Sequence, residues 1–292
     1  MKVLPFKIPR GNGELLMLQH DKQSYIYHTL HQHPEMQLML IRKSTGTAVV
    51  GGHIGAFQPG DVFLIGSNVA HAFRNDDLYY REDPQVYADV VYVFIDASIP
   101  HTPLLNFLVL NDLFVSAKRG IKLSGGLREQ MAHKIDGLLH LEGLDRLIGV
   151  LEILNAISKS QDFEYLNRDQ IIQSIDENDG TRLNSVIEFT FENYENKITL
   201  EEISGIANMV PSAFCRFFKQ RTRKTYFDFL NEIRIRHASR LLLEKDFSIL
   251  EICLRSGFNN LSYFNRKFKA ITGYSPLKYH KAIKGTATDI RI

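Results

Sequence analysis

The segment ITLEEISGIANMVPSAFCRFFKQRTRKTYFDFL, from Ile198 to Leu230, decides how this chain reads, because it returns as SILEICLRSGFNNLSYFNRKFKAITGYSPLKYH from Ser248 to His280. Phe214, Arg216, Phe218 and Lys219 reappear 50 positions later as Phe264, Arg266, Phe268 and Lys269. Just upstream the offset is 49, with Thr199, Leu200 and Ile203 matching Ser248, Ile249 and Ile252. The one-residue change falls between two predicted helices, where a turn absorbs it. A repeat of this length marks a duplicated supersecondary unit, and two copies are too few for a solenoid. A paired binding module is the expectation.

The repeated unit carries the local chemistry of two helices joined by a tight turn. Thr199 with Glu202, and Ser248 with Glu251, spell the S/T-x-x-E capping box that starts a helix. The turns fall at Asn208–Met209 and at Ser256–Gly257–Phe258. Second helices then begin near Pro211, which suits a first helical position, and near Asn260, a good N-cap; Val210, which matches Asn260, is a poor one. Phe214, Phe217 and Phe218 share one helical face, as do Phe264 and Phe268, and are expected in the core. The opposite faces present Ser212, Ala213, Cys215, Arg216 and Lys219 in one copy, and Asn260, Ser262, Tyr263, Arg266 and Lys269 in the other. Short polar residues with an arginine near a helix N-terminus suit a DNA major groove. Lys219 and Lys269 fit phosphate contact.

Charge points to the same partner. From residue 181 onward there are 19 Lys+Arg against 11 Asp+Glu, a net of +8. The remaining 16 against 22 leave the first 180 residues at −6, so the overall +2 hides a basic C-terminal region joined to an acidic N-terminal one. Attraction to phosphate is the usual reason for such asymmetry.

These residues resemble the AraC/XylS transcriptional regulators. The resemblance rests on the F-x-R-x-F-K cores FCRFFK and FNRKFK, on SGF before the second reading helix and GYSPLKY after it, and on RIRHASRLLLEKDFSI as a linker helix. It covers about the last 110 residues. Two departures stand out: Lys224–Thr225–Tyr226 replaces a Gly-x-Ser-Pro turn in the first copy, and Val210 replaces a Ser cap. The resemblance implies an effector-responsive, sequence-specific activator, with double-stranded DNA, RNA polymerase and a second copy of the chain as partners.

The linker helix has its own logic. Phe227, Leu230, Ile233, Ala238, Leu241 and Leu242 recur at near-helical spacing. Such a stripe packs against both helical units and fixes their separation, so that the two reading helices enter successive major grooves, roughly 34 Å apart.

A chain of 292 residues with 44% hydrophobic content can bury more than one core, so more than one domain is expected. No apolar run approaches the ~20 residues that span a membrane. The start, MKVLPFKIPRGNGELL, lacks an extended apolar signal core. The two cysteines, Cys215 and Cys253, suggest no disulfide framework. A reducing, cytoplasmic location is the expectation.

Up to about residue 96 the chain reads as β. Short apolar or alternating runs recur as LLMLQH, SYIYHTL, MQLMLI, TAVVG, DVFLIG and VYADVVYVFI, broken by turns such as Gln58–Pro59–Gly60–Asp61. Regular short strands argue for a sandwich or barrel. Within them, His31-Gln32-His33-Pro34-Glu35-Met36-Gln37 and GDVFLIGSNVAHAFRN resemble the two motifs of the cupin barrel, a small jelly roll. That resemblance implies a small-molecule sensor, and it maps the cupin metal-ligand positions onto His31, His33, Gln37 and His71. Gln37 stands where a carboxylate belongs, and a neutral amide is a poor ligand for a hard or borderline cation. No metal or other cofactor is therefore assigned. The four residues are read as a ligand-binding set for a neutral polar effector, with a sugar or sugar derivative the plainest candidate.

Residues 104–176 change character. Leu127, Met131, Ile135, Leu138 and Leu139 form one helical stripe, and Leu144, Leu147, Ile148, Leu151 and Leu154 another. The choice lies between packing onto the β region and a dimerising helical pair, which the resemblance implies. QSIDENDGTR, from Gln173 to Arg182, reads as the interdomain linker. The expected architecture is α+β and multidomain. A cupin-like β-barrel spans 1–103, a helical dimerisation segment 104–176, and an all-α DNA-binding domain 181–292, with helix-turn-helix units at 199–221 and 248–271 joined by the linker helix.

Competing chemistry is sparse: the sequence holds no P-loop, HExxH, CxxC or nucleophile elbow. No catalytic residue is assigned. The alternatives are a cupin isomerase or dioxygenase using His31, His33 and His71 with a metal, and an architectural DNA-binding protein without a ligand.

Overall fold

In a computed structural model the chain divides into two compact units, Met1–Thr181 and Arg182–Ile292. The structure describes residues 14–81, 83–101, 108–169, 177–244 and 247–281.

The first unit is built on two antiparallel sheets. Six strands, β1 (Leu16–Gln23), β2 (Met36–Lys43), β5 (Val62–Ile65), β7 (Ala88–Ile95), β8 (Ile121–Leu123) and β9 (Phe163–Tyr165), run in the order β1-β7-β2-β5-β8-β9. Three more, β3 (Gly46–Val50), β4 (His53–Phe57) and β6 (His71–Asn75), form the second sheet in the order β4-β3-β6. Among the described residues an isolated bridge from His31 to His71 reaches β6, and the strands do not close into the expected barrel.

Period-2 geometry explains why the central strands read as continuous apolar runs. Successive side chains of a strand point to opposite faces, and both faces of the large sheet are covered. Leu38 and Leu40 of β2, with Val91, Val93 and Ile95 of β7, join one core with three helices, α1 (Leu108–Ala117), α2 (Gly125–Gly137) and α3 (Gly143–Lys159). Met39 and Ile41 of β2, with Ala88 and Val90 of β7, face the other way into a core shared with the small sheet. Leu127, Met131 and Ile135 bury the inner side of α2, so this stripe packs onto the β region. The buried side of α3 is Val150, Ile153, Leu154 and Ile157, which leaves Leu144 and Ile148 of the predicted stripe exposed.

One strand expectation fails here. SYIYHTL forms no strand, because Ser24–Leu30 leaves β1 as irregular chain and carries Tyr25 and Tyr27 outward while burying Ile26. The polar Gln173–Arg182 stretch lies outside the described residues up to position 176; from Glu177 it begins α4 (Glu177–Asn193), and the division between the two units falls within it, after Thr181.

The second unit is helical: α4, α5 (Leu200–Ile206), α6 (Pro211–Thr222), α7 (Tyr226–Glu244), α8 (Ile249–Arg255) and α9 (Leu261–Thr272). The long α7 buries Leu230, Ile233, Ile235, Ala238, Leu241 and Leu242. Phe227 departs from the predicted stripe and is 43% exposed, because Tyr226 and Phe229 take the core positions against Phe218.

Candidate nucleic-acid interface and ligand site

The two helix pairs, α5 with α6 and α8 with α9, repeat in atomic detail. Thr199 and Ser248 each accept a hydrogen bond from the backbone three residues on, at 3.1 and 3.2 Å, while Glu202 and Glu251 reach back to the cap N–H. Both turns contain one left-handed residue, Asn208 (φ 52°) and Gly257 (φ 79°), at the offset of 49. Asn and Gly are the residues that tolerate this region best. The second helices end on left-handed caps, Arg223 (φ 62°) and Gly273 (φ 80°), now at the offset of 50. Behind each cap a threonine hydroxyl, of Thr222 or Thr272, donates to the carbonyl of Phe218 or Phe268 at 2.7 and 2.8 Å. The register therefore shifts between turn and second helix, at the Pro211 and Leu261 starts.

Each pair is closed by aromatic packing. Phe214 and Phe218 lie 5.7 Å apart and pack on Tyr226, and Phe264 and Phe268 lie 5.6 Å apart with Phe258 and Tyr279 at their sides. All four phenylalanines are fully buried, each stabilising its unit by about 2–3 kcal/mol. Phe217 is buried too, and Cys253 lies in the second core while Cys215 is exposed. Arg234 of α7 ties the halves together: its guanidinium donates to the carbonyls of Tyr194 and Asn196 at 2.7 Å each. A Cβ on Gly257 would sit 2.8 Å from the same guanidinium, so the second turn is packed directly against this clamp.

The faces opposite these cores carry the candidate reading residues. Ser212, Cys215, Arg216 and Lys219 are exposed on α6, with Ala213 half-buried; Ser262, Arg266 and Lys269 are exposed on α9. Two candidates hold structural posts as well. Asn260 is the α9 N-cap, accepting from the Tyr263 N–H at 2.8 Å; Val210 makes no side-chain cap on α6. Tyr263 is half-buried, its hydroxyl accepts from Asn231 of α7 at 2.9 Å, and the Arg266 guanidinium lies 5.3 Å from its ring. Lys267, absent from the sequence-derived set, is drawn inward to Asp228 of α7 at 2.9 Å.

In the first unit the structure brings His31, His33 and His71 together, with candidate ligating nitrogens all within 4.8 Å of one another. The His31 and His71 rings lie 4.3 Å apart and His33 packs edge-on to His71 at 5.2 Å. Gln37 joins them through its amide oxygen, 3.0 Å from Nε2 of His33, and points its amide nitrogen at the sulfur of Met39. Glu35, which lies in the sequence motif outside the mapped ligand positions, adds a carboxylate 3.4 Å from Nδ1 of His33. All five side chains are buried.

The electrostatics of the cluster follow from that burial. Desolvation holds His31 down at about 4, reinforced by His33 and opposed by the backbone carbonyl of Thr29. His71 lies well below the usual range, again from burial first and then from its two histidine neighbours. Both rings are therefore neutral at pH 7. Nδ1 of each lies 2.8 Å from a backbone carbonyl, of Thr29 and Val69, so that nitrogen carries the hydrogen and Nε2 keeps a lone pair. Nε2 of His71 is buried without a hydrogen-bond partner.

Comparison with known proteins places the C-terminal unit. A helix-turn-helix domain family matches residues 203–282. The chain is 24% identical over 269 residues to the uncharacterized HTH-type transcriptional regulator YdeC of Bacillus subtilis, covering 87% of each protein. It is 22% identical to the HTH-type transcriptional activator RhaS of an Enterobacter species, over 84% of this chain and 85% of that one. Against the melibiose operon regulatory protein of Escherichia coli it is 28% identical, over 34% of this chain and 33% of the relative. No helix among the described residues is long and apolar enough to cross a membrane. With a β-sheet region ahead of a duplicated, basic helical domain, the chain is a sequence-specific DNA-binding transcriptional regulator whose C-terminal unit carries a helix-turn-helix domain.

Proposed function

We propose that this regulator is an effector-responsive activator in which α6 and α9 are the reading helices of two helix-turn-helix units. The observation that supports this most is the matched placement of Arg216 and Arg266 on exposed faces of helices with the same left-handed C-caps, turns and aromatic cores. In that reading each arginine pairs with a guanine edge, Ser212, Cys215 and Ser262 line the groove, and Lys219 and Lys269 lie against phosphate. Tyr263 supports Arg266 from below rather than touching a base. The protein works in the cytoplasm as a homodimer and recruits RNA polymerase. Selecting bound sequences from random DNA tests the two-unit reading: the preferred site should contain two elements about one helical turn apart. A single short element would contradict it.

The N-terminal domain is a cupin-like sensor in this proposal, and His31, His33, Gln37 and His71 meet the effector. A neutral, hydroxyl-bearing ligand suits the cluster, because the lone pair on Nε2 of His71 accepts a hydroxyl hydrogen and Gln37 both donates and accepts. A relative named for a sugar operon supports a saccharide. Thermal shift against a saccharide panel tests this; stabilisation lost in His33→Ala and Gln37→Ala is the expected result.

The orphan nitrogen also favours a second reading. Three imidazoles, two of them neutral and oriented by backbone carbonyls, fit a three-nitrogen zinc-type centre. His31, His33 and His71 would hold the ion and Gln37 would stand beside it; the ion would supply Lewis acidity. Stoichiometric metal in protein purified without an affinity tag, lost in His71→Ala, would favour that centre over the saccharide site.

A further inference from the structure

A cavity of about 180 Å³ opens at the edge of the large sheet, and none of His31, His33, Gln37 and His71 is among its lining residues. Its walls are Gln19, Asp21 and Gln23 of β1, Tyr92 of β7, and Tyr25 and Tyr27 of the irregular chain that follows β1. Ala88 and Val90 supply small apolar side chains. The pairing of β1 with β7 explains the composition, since Gln19, Asp21 and Gln23 lie opposite Tyr92, Val90 and Ala88. Polar groups thus come from one strand and space from the other.

The charge of the cavity is one-signed. Among the described lining residues Asp21 is the only carboxylate, and none is Lys, Arg or His. Its carboxylate is held by the Gln19 amide at 2.9 and 2.8 Å, a neutral donor that fixes its position without cancelling its charge. Burial, then the Asp21 charge, raises the Tyr92 phenol, so the ring stays un-ionised beside the carboxylate. Tyr25 packs on Tyr80 at 4.8 Å and Tyr27 sits edge-on to His31 at 5.0 Å, so both rings at the mouth are braced from behind. Three aromatic rings around a fixed carboxylate attract a cation through ring quadrupoles as well as by charge. Anions are repelled by the same arrangement.

We infer that this cavity binds a small organic ammonium group, with Asp21 as the counter-ion and Tyr25, Tyr27 and Tyr92 as the ring walls. None of His31, His33, Gln37 and His71 lines this cavity, although its wall residue Tyr27 packs on His31.

Titration calorimetry of the full chain with choline, and with its neutral isostere 3,3-dimethylbutan-1-ol, reads the charge preference directly. Choline should bind saturably and at least about tenfold more tightly than the isostere. Asp21→Asn, which keeps shape and polarity, should erase that preference, and Tyr25→Leu should weaken choline several-fold. His33→Ala, the variant that tests the saccharide reading, should leave choline binding as it is. Equal binding of cation and isostere by the wild-type protein would overturn the inference. So would the absence of saturable choline binding, or a saccharide whose binding is the one that depends on Asp21.

Discussion

Four single residues carry the backbone geometry of the DNA-reading half. Asn208, Gly257, Arg223 and Gly273 all sit at positive φ, in matched pairs. Three of them are residue types that announce the conformation; Arg223 is not, and sequence alone gives no sign that it caps a helix in the left-handed region. A side chain there costs about 1 kcal/mol that glycine avoids. Arg223→Gly should therefore raise the stability of the second unit by a few tenths of a kcal/mol or more, the gain being partly offset by the looser unfolded chain. Chemical denaturation measures it, and a loss of stability would show that the arginine side chain makes a compensating contact. The buried histidines give a second expectation. Their folded-state pKa lies below the unfolded value, so the unfolded chain takes up the proton first as pH falls. Stability of the first unit should decline from about pH 6.5 toward the value of about 4 that marks His31. His31→Gln and His71→Gln should flatten that decline; an unchanged pH profile in both would contradict the assignment.

At the scale of elements, the helical half was legible because every signal recurred. Capping boxes, a turn residue, phenylalanines at helical spacing and an offset that slips by one all constrain the same two helix pairs. The β half was less so. The runs at β1, β2, β3, β5 and β7 stand out as apolar, while β4, with Gly55 at its centre, and β6, with Arg74, hide among polar residues. SYIYHTL misleads because aromatic alternation there serves a cavity wall and one buried isoleucine rather than a pleat. Nothing local links Tyr25 to Tyr92: strand pairing across some 70 residues brings them together. The turn between α8 and α9 offers a test of element packing. A Cβ at Gly257 would lie 2.4 Å from the Tyr194 carbonyl, whereas one at Gly273 would meet open space. Gly273→Ala should cost about 1 kcal/mol, for backbone conformation alone. Gly257→Ala should cost clearly more, because the α4 end and Arg234 must also move. Equal losses in a denaturation series would mean that the turn yields without effort.

The whole chain joins a β-sheet region to a basic helical domain, and one surface of the first unit is the candidate contact of the proposed homodimer. Leu144 and Ile148 of α3 are 69% and 46% exposed, flanked by the half-buried Leu147 and Leu151. A two-fold contact through this face would double the DNA segments read. Leu144→Glu with Ile148→Lys should convert a dimer to a monomer in sedimentation while leaving the fold intact, since neither side chain belongs to the core; a dimer that persists would place the interface elsewhere. The central claim, that two copies of one helix pair read DNA through matched arginines, is tested most directly by affinity for a site selected by the wild-type protein. Arg216→Ala and Arg266→Ala should each lose about 1–3 kcal/mol, roughly five- to 150-fold. Each should relax base preference within a different one of the two elements. Unchanged affinity and an unchanged footprint in both variants would contradict the account.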